Sequence, residues 1–113
     1  GWWCAYTAQE DDSLPVYRFW SNINRSHFYT ISETEKEHVE DTYSDDEWRY
    51  ERIEWYAFDY AKAGTIPVYR FWSDMNRSHF YTASETEKQK VIDQYTDYEW
   101  EHEGVGWWVY PCP

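Results

Sequence analysis

The chain has 113 residues and a formal net charge of −12, with 22 acids against 10 Lys and Arg. This is the length of one domain with a modest core. The charge argues against nucleic acid and anionic membrane as partners, since both need a basic footprint, and no apolar run is long enough to insert in a bilayer. Aromatic residues make up 23% of the chain, nine Trp and twelve Tyr among them. They must fill the interior and still leave rings on the surface, a position that Trp and Tyr tolerate because each joins an apolar body to a polar tip.

The chain contains one sequence nearly twice. Residues 15–58 and 67–110 agree at 27 of 44 positions, with a shift of 52. The N-terminal segment Gly1–Tyr6 is a third, partial copy: Gly1, Trp2 and Trp3 echo Gly106, Trp107 and Trp108 near the end of the second unit. We therefore read a single domain, 1–113, made of a partial repeat strand (1–6), unit one (15–58) and unit two (67–110).

In chain order, Val16–Ser21 and Ser26–Ile31 are β-branched and aromatic, and turn-compatible residues 22–25 lie between them, which predicts a β-hairpin. Ser32 with Glu35, and Ser84 with Glu87, form capping boxes, so a short helix follows to about Tyr43 and Tyr95. Its apolar stripe is thin, Val39 and Tyr43 in one unit and Val91, Ile92 and Tyr95 in the other. Such a helix must pack on the sheet to persist. Two further extended segments, 47–51 and 53–58, are separated by a bend or bulge at Arg52, the position of Gly104 in unit two. Residues 61–66 are a short linker, so the units should pack together rather than swing.

The expected fold is α+β: two tandem β-β-α-β-β units in a pseudo-two-fold relation, with the N-terminal strand completing the fold. That strand would pair with unit one as Trp55–Phe58 pairs with unit two. Cys4 and Cys112, the only cysteines, sit at opposite ends. A disulfide joining the termini would close nearly the whole chain and stabilise it by about 4–5 kcal/mol in the loop-entropy model, and it implies an oxidising compartment. Asn24 and Asn76 each open an N-glycosylation acceptor pattern. No charged-then-apolar leader precedes Gly1, so a secreted reading expects any signal peptide to have been removed.

With a four-residue hairpin loop, Ser21 pairs with Ser26, Trp20 with His27, Phe19 with Phe28 and Arg18 with Tyr29. Side chains alternate across a strand. One face then carries Tyr17, Phe19, Phe28 and Thr30 and reads as core. The other carries Arg18, Trp20, His27 and Tyr29, repeated as Arg70, Trp72, His79 and Tyr81. Sugars present apolar C–H faces rimmed by hydroxyls. Trp20 and Tyr29 would stack on the former while Arg18, His27, Asn24 and Arg25 bond the latter, with Asn76 and Arg77 as their copies. The plainer reading is a cation–π stitch in which Arg18 stacks on the rings.

Other chemistry has less support. Asp41, Asp45, Asp46 and Glu47, with Asp93, Asp97 and Glu99, lack the fixed spacing of a calcium loop. His27, His38, His79 and His102 have no zinc spacing. No nucleophile motif, phosphate loop or nucleotide fingerprint is present, so we expect neither an enzyme nor a cofactor.

The blocks Val16–Trp20, His27–Thr30, and Trp48 with Glu51 through Trp55–Ala57 resemble an aromatic "HFYT" tandem-repeat family of uncharacterised function. That family is found in secreted proteins and appended to bacterial cell-wall hydrolases. The resemblance covers both units and implies an extracellular accessory module that binds glycans or cell walls. It marks Trp20, His27, Phe28 and Tyr29 and their copies as signature positions. Arg52 and Glu54 stand where unit two has Gly104 and Gly106, which makes two inequivalent sites.

The resulting expectation is a secreted, non-enzymatic, lectin-like protein that binds glycans or cell-surface glycoconjugates at one shallow aromatic site per unit. The alternative is a secreted effector or inhibitor that engages a protein or receptor through its acidic, ring-rich surface. A structural or storage protein would instead bury both hairpin faces.

Overall fold

The computed structural model describes residues 9–112. Unit one comprises β1 (Leu14–Ser21), β2 (Ser26–Thr30), α1 (Glu33–Thr42) and β3 (Arg49–Ala57). Unit two repeats it as β4 (Ile66–Ser73), β5 (Ser78–Thr82), α2 (Glu85–Gln94) and β6 (Glu101–Val109). Each unit is a three-stranded antiparallel sheet, ordered β2-β1-β3 or β5-β4-β6. The α+β class thus holds.

The hairpins adopt the expected register, Trp20 opposite His27 and Trp72 opposite His79. Each loop closes through a backbone bond, Arg25 N–H to the Ser21 carbonyl (2.9 Å) and Arg77 N–H to that of Ser73 (2.7 Å). The buried Ser21 and Ser73 hydroxyls accept from the amides of Asn24 and Asn76. Arg25 and Arg77 take φ of 55° and 56° to complete the loop, a left-handed conformation uncommon outside glycine.

The two late strands expected in each unit are one. Along β3 the pairing runs Val16 to Trp55, then Tyr17 to Ile53, and Arg18 to Arg52, then Phe19 to Tyr50. Glu54 and Glu51 are thus extra residues, as Gly106 and Glu103 are in β6. A bulge absorbs one extra residue without ending the ladder. The unit is therefore β-β-α-β, not β-β-α-β-β, and the bend foreseen at Arg52 and Gly104 is a pair of bulges flanking it.

Each helix is capped as expected, Ser32 Oγ accepting from Glu35 N–H and Ser84 Oγ from Glu87 N–H, both at 3.1 Å. Val39 and Val91 are the buried anchors. They cover the expected core face: Phe19, Phe28 and Val39 with Tyr17 and Tyr50 in unit one, and Tyr69, Phe71 and Val91 with Phe80 and Trp100 in unit two.

A third cluster joins the units. Val16, Ala57, Val68, Trp107 and Val109 are buried together, with Tyr29, Trp55 and Tyr81 packed on them. Past the end of β3, Phe58 pairs with Trp108 through two backbone bonds of 2.9 and 2.8 Å. Of the segment Trp55–Phe58 expected to pair with unit two, Phe58 alone does so among the described residues, and Trp55, Tyr56 and Ala57 pair with β1 of their own unit. The strand 1–6 and Cys4 lie outside the described residues, and with them the terminal disulfide.

The contacts between units run one way. The Phe28 ring lies 4.8 Å from the His79 ring and 5.5 Å from the Arg70 guanidinium. The Tyr81 hydroxyl accepts from Tyr29 N–H (2.9 Å) and donates to the Tyr29 carbonyl. A two-fold would bring Phe80 to His27 and Tyr29 to the Tyr81 backbone, and neither pair meets among the described residues. The relation is accordingly head-to-tail, not the pseudo-two-fold expected: unit one offers its β2 and helix side, unit two its opposite face.

Candidate functional site

The predicted face exists in both units, and the bulges complete it. An extra residue in a strand turns its side chain to a new side, and here Glu51 and Glu103 join the Arg and His. Arg18 Nε donates to Glu51 at 2.8 Å, and His27 Nε2 is 3.3 Å from the same oxygen. In unit two Arg70 Nε donates to Glu103 at 2.9 Å, with His79 Nε2 at 3.2 Å.

Trp20 and Trp72 are not bare platforms. His27 and His79 lie against them, with ring centroids 4.8 and 4.7 Å away. Arg25 and Arg77 sit over the indoles at 5.8 and 5.4 Å. The cation–π stitch thus comes from the loop arginines. Each indole N–H donates to the loop as well, to Asn22 or Asp74 at 2.8 Å. Tyr29 and Tyr81 are drawn into the cluster between the units. Asn24 is half-buried in its loop and Asn76 exposed.

The two copies differ in what they face. Among the described residues, Arg18 has ion-pair partners only in its own unit, Glu51 and, at 3.4 Å, Glu54. Arg70 instead reaches across, donating from Nη1 to Glu35 of α1 at 2.9 Å. Burial raises the Glu35 carboxyl, but the hydrogen bonds from Arg70 and Thr30, together with the nearby Arg70 charge, outweigh it and hold the group below the usual glutamate range. Glu103 is lowered too, burial being overcome by its bonds to His79 and Arg70. His79 keeps 10% of its side-chain surface, against 36% for His27.

This crossing makes a cleft of about 250 Å³ between the units. Unit one supplies Phe28, Glu35, His38, Tyr43 and Trp48, and unit two supplies Arg70, Trp72, His79 and Glu103. A recess of about 280 Å³ shares Tyr43, Trp48 and Trp72 with it and adds Asn24, Glu47 and Arg77. The cleft therefore combines indole edges and faces with carboxylates, a guanidinium and imidazoles.

Of the predicted residues, Arg70, Trp72 and His79 line the cleft, and Asn24 and Arg77 its extension. Arg18, Trp20 and His27 lie on the equivalent face of unit one, and Arg25 is spent on Trp20. Sequence reasoning missed Glu35, His38, Tyr43, Trp48 and Glu103 as site residues. Glu35 was visible only as half of a capping box, and its carboxylate serves Arg70 instead. Trp48, repeated as Trp100, was the available signal.

Two of the acids considered for calcium serve the turns. Glu47 and Glu99 accept from the amides of Ser44 and Thr96, both at 3.0 Å. Among the described residues, no three of His, Cys, Asp and Glu are grouped to hold a metal ion, and no helix is long and apolar enough to cross a membrane.

A family model described as "Domain of unknown function (DUF5648)" matches residues 2–110. No curated protein and no solved structure matches the chain.

Proposed function

The chain belongs to the DUF5648 family, and from the cleft between its units we propose that it is a secreted, non-enzymatic carbohydrate-binding protein. One observation carries the reading: Trp48 and Trp72, from different units, wall a single cleft that also holds Glu35, Glu103, Arg70 and His38. Half-exposed rings beside planar polar groups suit a ligand with apolar C–H faces and a hydroxyl rim. Each carboxylate has about four lone-pair positions. Arg70 engages only part of them on Glu35 and Glu103, which leaves acceptors for sugar hydroxyls.

The site so proposed is one composite cleft, in place of one shallow site per unit. Both indoles are held from behind, Trp48 by Phe28 and Trp72 by Arg77 and His79. Ligand pockets commonly run from about 300 to 1,000 Å³, so a cleft of about 250 Å³ suits a terminal sugar more than an extended chain.

A glycan-array screen followed by calorimetry tests this. Wild type should bind a defined glycan, and Trp48→Ala and Trp72→Ala should each lose at least tenfold in affinity. Trp20→Ala should keep the affinity, and circular dichroism should show all three variants folded. Absence of glycan binding by wild type would overturn the proposal. So would equal loss in the folded Trp20→Ala chain, which would return the site to the individual hairpins.

A further inference from the structure

A head-to-tail contact uses the front of one unit and the helix side of the other, so the contact between the two described units leaves one half of each unit unused. On the helix side of unit two, Phe80, Glu87, Val91, Tyr95 and Trp100 line an open recess of about 310 Å³. Each is the copy of an internal-cleft residue: Phe28, Glu35, Val39, Tyr43 and Trp48. The other half is unit one's front, where Arg18, Trp20 and His27 copy the residues that unit two presses against unit one.

We propose that a second copy of this chain docks there, the front of its first unit seating on the helix side of the second unit. The internal interface is the template. Glu87 is exposed and would take from the arriving Arg18 the bond that Glu35 takes from Arg70. Phe80 would lie against the arriving His27, whose greater exposure relative to His79 is the surface left for a neighbour to cover. Lys90, which stands where α1 has His38, would face the carboxylates of Glu51 and Glu54.

Glu54 sets the strength of this contact. Unit two has Gly106 at that position and leaves its Arg70 to Glu35. Unit one supplies its own carboxylate, which holds Arg18 Nη1 at 3.4 Å, longer than the 2.9 Å of the Arg70–Glu35 bond. Docking exchanges Glu54 for Glu87, so association is reversible and weaker than the internal contact. Being heterologous, it has no reason to stop at two copies.

Sedimentation velocity on the full chain, near physiological salt and up to millimolar concentration, tests the proposal. Wild type should form concentration-dependent dimers and longer species. Glu54→Gly should tighten association several-fold, and Glu87→Arg should weaken it at least tenfold. Arg18→Ala should also sediment as a monomer, yet an equimolar mixture with Glu87→Arg should give a complex that ends at two chains, since each variant keeps the half that the other lost. Circular dichroism checks that each variant is folded. The proposal is overturned if wild type and Glu54→Gly both stay monomeric at millimolar concentration. A wild-type assembly that Glu87→Arg leaves intact, or a mixture that fails to pair while wild type associates, overturns it as well. None of these readouts depends on glycan binding.

Discussion

Nonreciprocal packing makes a prediction that two pairs of residues settle. Arg70 and Glu35 form a cross-unit ion pair at 2.9 Å with 19% and 34% of their side-chain surfaces exposed. At an effective permittivity of ~20, unit charges at that distance attract by about 6 kcal/mol before desolvation and chain entropy are subtracted. Exposed pairs retain about 0.2–1 kcal/mol, and breaking a buried one costs about 3–5 kcal/mol. The intermediate exposure places the Arg70–Glu35 coupling at about 1.5–2 kcal/mol. The assay is a double-mutant cycle of Arg70→Ala and Glu35→Ala by urea unfolding, followed by tryptophan fluorescence and circular dichroism. The reciprocal cycle, Arg18→Ala with Glu87→Ala, should give a coupling near zero at concentrations where the chain is monomeric. Equal couplings in the two cycles, or none for Arg70 and Glu35, would refute the head-to-tail arrangement.

Two further predictions concern pH and the bulge. Glu35 and Glu103 are held below the usual glutamate range, so their contribution to stability is intact above the unfolded value of about 4.3. It is lost as pH falls through the lower folded values, because the unfolded chain then takes up protons first. At the alkaline end, burial raises the Tyr81 phenol, and the Tyr69 phenol is pushed up to about 12 by its hydrogen bond to Glu85 and by burial. Stability should therefore also decline above about pH 10, where unfolded tyrosines ionise. Unfolding free energy measured against pH should show both limbs, the acid one flattened by Arg70→Ala and the alkaline one by Tyr81→Phe, and unchanged limbs would contradict the assignment. Gly104 has φ of +109° with nothing within 4 Å of an added Cβ, so Gly104→Ala should cost about 1–2 kcal/mol through backbone strain alone. Arg52, its counterpart, has no positive φ, and Arg52→Ala should leave the unfolding free energy from urea titration within about 0.5 kcal/mol of wild type.

The parts of the fold legible in the sequence were those that local chemistry decides. Period-two alternation and a four-residue loop fixed the pairing of Trp20 with His27, because a slip of one residue would have put Phe19 and Phe28 in water. Ser32 and Ser84 announced their helices through the cap each makes. The bulges were half legible: a bend was expected at Arg52 and Gly104, but alternation gave no sign that Glu51 and Glu103 would turn toward Arg18 and Arg70. The cleft was the least legible part. It is built from residues far apart in the chain, and whether Trp72 meets Trp48 or solvent depends on how whole units pack. The repeat itself encouraged the wrong symmetry, since two copies suggest one site on each rather than a single site between them.

Equal sequences become unequal sites because a head-to-tail relation gives each copy a different neighbour. Arg18 and Arg70 share their strand position, their bulge carboxylate and their histidine, yet among the described residues only Arg70 meets a second unit. A cleft of this kind belongs to a junction, and the two described units share one. The divergence of Glu54 from Gly106 follows the same logic, since the unit whose front is not used in the contact between the two described units carries its own carboxylate. If copies dock as proposed, every new junction brings Trp100 of one chain beside Trp20 of the next and adds one more cleft of the same design. Assembly then multiplies the sites instead of merely enlarging the particle. Weak sites repeated along one body gain avidity on a multivalent surface without any change in the individual site, so the two proposals support a common use while remaining separately testable.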